Sequence, residues 1–143
     1  MSELAVQGCT FKISSTAGSI SATSLATTTT PSNKDFAKNK GIFFDKLTVN
    51  ISGATITPAT PVAGTTNSGV LASGSIDISG TASNILDSNE KSALQKGDKN
   101  TKTFSFIFTL TPTPPPPSPP TTSVDFPVTV EIDDAGQTSV IAL

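Results

Sequence analysis

Asp125, Glu131 and Asp133 occupy alternate positions in SVDFPVTVEIDD, so an extended chain would put their carboxylates on one face, with Asp134 at its end. Such a cluster could supply oxygen ligands to Ca²⁺ or a carboxylate pair for acid–base chemistry. A solvated strand face closing in the Asp133-Asp134-Ala135-Gly136 turn accounts for the same residues, and that is the reading preferred. Lys34, Lys38, Lys40 and Lys46 could form a basic patch, but Asp35 and Asp45 interrupt it and a solvated loop is expected. Cys9, between Gly8 and Thr10, is read as a small buried filler rather than a reactive thiol.

The rest of the catalytic inventory is missing. The 143 residues include no His, Arg, Trp or Tyr, and a single Cys and Met. Serine and cysteine nucleophiles usually depend on a neighbouring base, most often His, so a non-catalytic chain without cofactor or metal is expected. All nine basic residues are Lys and the net charge is −2, which argues against nucleic acid as a partner. No stretch is long and apolar enough for membrane insertion. Ser and Thr make up more than a quarter of the chain, giving a hydroxyl-rich, weakly charged surface.

The elements that must position these residues are strands. In TKTFSFIFTLT, Phe104, Phe106, Phe108 and Leu110 alternate with polar residues, and Val124, Phe126, Val128, Val130 and Ile132 do so in the second segment. These predict strands over 103–110 and 124–132, forming a C-terminal hairpin whose Phe stripe packs as core. Pro127 cannot donate to a ladder, so its strand should be an edge or have one unpaired position. The intervening loop, 111–123, contains the proline run Pro112 to Pro120, read as a spacer or projecting loop rather than an SH3 or WW ligand. Leu47, Val49 and Ile51 predict another strand ending at Ser52-Gly53, with shorter strands at 4–13, 18–22, 69–79 and 138–143. The best helix candidate is 84–98, NILDSNEKSALQKGD, with Asp87 or Ser88 as N-cap and Gly97 beyond its end. The fold class is therefore mainly β: a small single-domain β-sandwich or cone-like β-prism of short strands over 1–143.

Two windows share a pattern. Residues 18–45 and 74–98 each begin Gly-Ser-Ile, reach Ser-Asn (Ser32-Asn33 and Ser83-Asn84), pass an Asn/Lys turn and finish at an Asp. Together, over roughly Gly18 to Asp98, these windows resemble the PAAR-like proteins that sharpen the spike of contractile injection machines, including type VI secretion systems and phage tails: the second through Gly74-Ser75-Ile76, Ser83-Asn84, Glu90-Lys91 and Gly97-Asp98, the first less closely, ending in Phe44-Asp45. The resemblance implies a compact cone of strands that docks on a trimeric spike protein and pierces a target envelope. Tips of that family commonly hold a metal through His and Cys ligands. With no His and one Cys, a metal-free tip held by Phe and β-branched packing is implied instead.

The N-terminus carries Glu3 and no sustained apolar run, so synthesis in the cytoplasm without a signal peptide and assembly into an exported or virion-like particle are expected. The alternative is an exported surface or pilus-type β-sandwich that binds a partner or glycan. For either, the expected interface residues are Phe43 and Phe44, whose adjacency sends them to opposite faces of a strand, and the proline-loop residues Pro114, Pro115, Pro116 and Pro117.

Overall fold

The structure, a computed structural model, describes residues 2–138, 140 and 141. Its strands are β1 (Thr10–Ser14), β2 (Gly18–Ser21), β3 (Ser24–Thr27), β4 (Phe36–Ala37), β5 (Lys40–Gly41), β6 (Lys46–Pro58), β7 (Thr65–Ser79), β8 (Ala82–Leu86), β9 (Ser92–Ala93), β10 (Lys99–Leu110) and β11 (Thr121–Asp134). The described residues contain no helix.

Seven strands form one antiparallel sheet in the order β1-β11-β10-β7-β6-β2, with β3 also on β6. The two ends of this order, β1 and β2, are joined by the turn Ser15–Ala17 and an antiparallel Ser15 to Gly18 bridge. The sheet thus curls into a nearly closed barrel. Its interior holds Leu47, Val49, Ile51, Ile56, Ile76, Ile78, Phe106, Phe108, Val128, Val130 and Ile132, all buried. The expected Phe stripe is core: Phe126 meets Phe106 edge-on at 6.0 Å between ring centroids and Phe108 at 5.8 Å.

The hairpin β10–β11 is longer than alternation alone indicated, and the connecting loop shrinks to Thr111–Pro120. Leu110 N donates to Pro120 O at 2.8 Å and Thr111 N to Gly64 O at 2.8 Å, which closes the base of the loop. Pro127 lies just before the part of β11 that is paired on both sides. β11 pairs with β1 from Thr129 onward, while towards Thr121 it pairs with β10. In the order of the sheet β11 is an interior strand, not an edge, and of the two expectations the one that holds is an unpaired position at Pro127, on the β1 side.

The strand through Leu47 does not end at Ser52-Gly53. It runs on to Pro58, with its buried residues moving from odd numbers (47, 49, 51) to even ones (54, 56, 58) across Gly53, whose φ is +60°. β7 makes the matching change, from Ile76 and Gly74 to Leu71 and Gly69, while the pairing register is unchanged. Both strands bend together there. The same bend separates β2 from β3, since Thr23 N donates to Ser52 O at 3.0 Å between them.

The helix expected over 84–98 is absent; β8, a turn and β9 occupy that stretch. The physical reason is Asp87. Its Oδ1 accepts the amides of Asn89 at 2.8 Å and Lys91 at 2.9 Å, and its own amide donates to Lys91 O at 3.0 Å. An Asp side chain that satisfies the backbone locally favours a turn over helical propagation. Glu90 sits at φ +62°, a conformation no helix accepts. The strand expected at 4–13 is broken at Gln7-Gly8, so only Thr10–Ser14 joins the barrel. Of that expected at 138–143, Ile141 bridges Glu3, and Ser139, Ala142 and Leu143 lie outside the described residues.

Candidate docking surface

Three short chain segments meet below the barrel: 3–7, which leads into β1; 41–45, which leads into β6; and 92–96, which leads towards β10. Their central residues are Ala5, Phe43 and Leu94, all buried. The backbone hydrogen bonds among them are cyclic. Ala5 N donates to Leu94 O at 2.8 Å, Leu94 N to Phe43 O at 2.9 Å, and Phe43 N to Ala5 O at 3.1 Å. A second ring lies outside the first: Gln7 N to Gly41 O at 2.9 Å, Asp45 N to Ser92 O at 2.9 Å, and Lys96 N to Glu3 O at 2.8 Å. In this outer ring every donor lies two positions after a central residue and every acceptor two positions before one. The antiparallel bridges Leu4–Gln95, Ile42–Val6 and Ala93–Phe44 follow the same rotation. The three segments therefore form a small prism with pseudo-threefold symmetry.

The barrel obeys the same symmetry. Each prism segment leads into an outgoing strand, β1, β6 or β10, and each of these returns as β2 with β3, β7 or β11. The return strand of one hairpin pairs with the outgoing strand of the next: β3 and β2 with β6, β7 with β10, β11 with β1. The far ends of the hairpins break the pattern. Their connections are Ser15–Ala17, Ala59–Gly64 and Thr111–Pro120, so one arm is much longer than the others.

Apolar side chains flanking the central residues form a second small core of Leu4, Val6, Ala37, Ile42, Ala82 and Ala93, with Phe44 and Ile85 against it. Outside segments 41–45 and 92–96 run the short strands β4 and β8, and outside segment 3–7 Ile141 forms an isolated bridge. Phe36 pairs with Gly41, Leu86 with Ser92 and Ile141 with Glu3. Gly41, Ser92 and Glu3 all stand two positions before a central residue, so Phe36, Leu86 and Ile141 are equivalent under the pseudo-threefold. They are also 55%, 48% and 42% exposed. Among the described residues the other large exposed hydrophobics are Val140, beside Ile141, and the pair Val70 and Ile107, opposite each other on β7 and β10.

The two halves of the expected interface are not brought together. Phe43 and Phe44 do point to opposite sides, but Phe43 is 2% exposed in the barrel core and is not open to a partner. Phe44 is half-buried and lines a polar cleft of about 300 Å³ with Thr30, Ser32, Asn33, Lys34, Asp35, Asp87 and Ser88. Pro114, Pro115 and Pro117 are exposed and Pro116 is half-buried, on the loop at the far end of β10 from the prism.

The acidic cluster is engaged in structure. Lys12 Nζ lies 2.9 Å from Glu131 and 3.7 Å from Asp133, and its hydrogen bond to the Glu131 carboxylate holds its ammonium above the ordinary lysine range. Asp134 accepts the Gly136 amide at 2.8 Å, and Asp125 accepts the Ser105 hydroxyl. Among the described residues no three His, Cys, Asp or Glu side chains are grouped to hold a metal. Of the lysines, Lys40 donates to Gly136 O at 3.1 Å and Lys34 lines the cleft. Cys9 is half-buried against the core, and burial pushes its thiol up to about 11, with Asp134 adding to the rise.

Phe36, Leu86 and Ile141 carry no signal in composition or alternation. The signal that leads to them is the internal repeat, since Ser32-Asn33 and Ser83-Asn84 stand in the same 51-residue offset as Phe43 and Leu94. The third copy escapes such a comparison because its outer bridge comes from the C-terminal stretch and its central segment from the N-terminal stretch. No family model, curated protein or solved structure matches this chain.

Proposed function

We propose that the chain is a structural tip of a phage-like contractile injection particle, docked on the end of a homotrimeric spike and driven with it through a target envelope. The observation that carries this reading is the pseudo-threefold prism. A monomer placed on the axis of a trimer must offer each of three identical chains a comparable contact, and a prism of three equivalent segments does so within one chain. The resemblance of the second repeat window to PAAR-like proteins points the same way.

The architecture suits a mechanical part. Two hairpins of 12 to 15 residues per strand carry load along continuous antiparallel ladders, and the prism divides it among three chains. The barrel interior is filled by β-branched and Phe side chains that are fully buried, and packing at this density resists compression. The chemistry required is none beyond adhesion, so the non-catalytic reading belongs to the same proposal.

Co-expression with a trimeric spike protein of a contractile injection particle, followed by native mass spectrometry, tests the proposal. One chain per three spike chains is expected. A stable monomer with no affinity for that trimer overturns it. A second reading, an exported surface protein that binds a glycan, draws on the cleft around Phe44, where hydroxyl, amide and carboxylate groups surround one aromatic ring. Glycan-array binding abolished by Phe44→Ala, together with no spike association, would favour that alternative.

A further inference from the structure

We infer that the rim of the prism is the docking surface itself, with Phe36, Leu86 and Ile141 as three equivalent anchors, each seated against one chain of the homotrimer. This deepens the preceding proposal and rests on it.

Phe36, Leu86 and Ile141 differ in type and in sequence surroundings, yet the backbone pairing puts them in one structural position. Elsewhere on the three prism segments and their outer pairing segments the apolar side chains are buried or half-buried, apart from Val140 beside Ile141. A folded chain gains nothing by leaving a large apolar residue at about half exposure at every one of three related sites. A partner that covers all three gains from each.

Area gives the scale of that partner. Side chains of this size, half exposed, present on the order of 100 Å² each, or roughly 300 Å² together. That is the apolar centre of a contact whose full size for a stable complex is about 800 Å² per partner. The polar turns Lys38–Lys40 and Ser88–Lys91, both exposed beside the anchors, supply the hydrated border such contacts have.

Symmetry selects the homotrimer over other occupants. The loop end of the barrel has connections of three, six and ten residues, so a threefold partner there would meet three different surfaces. The Val70 and Ile107 pair on the barrel wall occurs on one hairpin junction, β7 with β10, and its counterparts at the other two junctions are not exposed large hydrophobics. Only the rim repeats three times.

The experiment uses the full chain and the purified trimeric spike protein that co-expression identifies as its partner, with affinity read by calorimetry. Phe36→Ser, Leu86→Ser and Ile141→Ser are each expected to weaken binding by roughly 10-fold, and the triple variant by about 1,000-fold. Circular dichroism melts check that each variant folds. Val70→Ser with Ile107→Ser is expected to leave affinity unchanged. Wild-type binding that survives the triple variant overturns the rim assignment while leaving the spike-tip reading in place, as does a loss confined to one of the three sites. No binding by the folded wild-type chain overturns both. A photo-crosslinking residue at position 86 supplies an independent readout: crosslinks to the spike chain are expected, and crosslinks only to a second copy of this chain would replace the trimer by self-association.

Discussion

The amide of Leu94 donates to the carbonyl of Phe43 at 2.9 Å, although 51 residues separate the two in sequence. Each is the central residue of its segment, and Ala5 completes the ring with one bond to each. The barrel above and the exposed apolar rim around it are both organised by this junction. Its side chains are large, large and small, so the buried space at the axis is filled unequally by three sequence contexts.

Truncation at the junction tests how much it contributes. Leu94 is fully buried, and Leu94→Ala should cost about 2–5 kcal/mol by lost burial and a residual cavity. Urea unfolding followed by circular dichroism measures it. A cost below 1 kcal/mol would show that the junction relaxes around the smaller side chain.

Gly69 lies under the Phe108 ring. A Cβ there would overlap Cε1 and Cζ of that ring, and Phe108 is fully buried with no room to swing aside. Gly69→Ala should therefore destabilise the barrel by about 1–3 kcal/mol through overpacking. Gly64, with open space around its Cα, provides the contrast: its left-handed φ of 74° makes Gly64→Ala a test of backbone strain alone, near 1 kcal/mol.

Asp98 joins the second repeat to the barrel. Its carboxylate accepts the Gln95 amide at 3.0 Å, the Thr81 amide at 3.3 Å and the Thr81 hydroxyl, and its carbonyl accepts the Ile132 amide at 2.9 Å. The residue is buried. Asp98→Ala leaves the Gln95 amide and the Thr81 amide and hydroxyl without their carboxylate partner, while the Ile132 bond to the backbone carbonyl stays, and should cost about 2–4 kcal/mol. Asp98→Asn keeps the shape and one acceptor oxygen, so its cost should be about half as large, again by urea unfolding.

Cys9 gives a pH signature. Burial raises its thiol from 9.0 to about 11, so below pH 9 it is neutral in the folded and unfolded chain alike. Between pH 9 and 11 the unfolded chain ionises and the folded one does not, which erodes stability as pH rises through that window. At pH 8 the native thiol should react with iodoacetamide at least roughly 100-fold more slowly than in urea, because the thiolate is that much scarcer. Equal rates in both states would contradict the burial.

The alternating segments 103–110 and 124–132 declared their strands because one face of each is fully apolar, and a period of two admits no other regular structure. Gly53 concealed the bend in β6: a glycine between two runs of alternation reads as a terminus, and the compensating change in β7 lies about twenty residues away. At 84–98 the local preference of Asp87 for a turn outweighed a few apolar residues at irregular spacing. Adjacency in the sequence put Phe43 and Phe44 on opposite sides but did not say which side is core; burial of Phe43 follows from two other segments arriving at the axis. Nothing in the residues 3–7 alone announces that arrival.

The bridge between Glu3 and Ile141 also sets a sequence of events in time. The first prism segment to leave the ribosome waits for its outer bridge until residue 141 has been made. Until then Leu4 and Val6 lack part of their covering, and the threefold rim is one-third unfinished. The covering of segment 3–7 is thus a long-range contact that forms only after residue 141 has been made, however early the segment itself emerges.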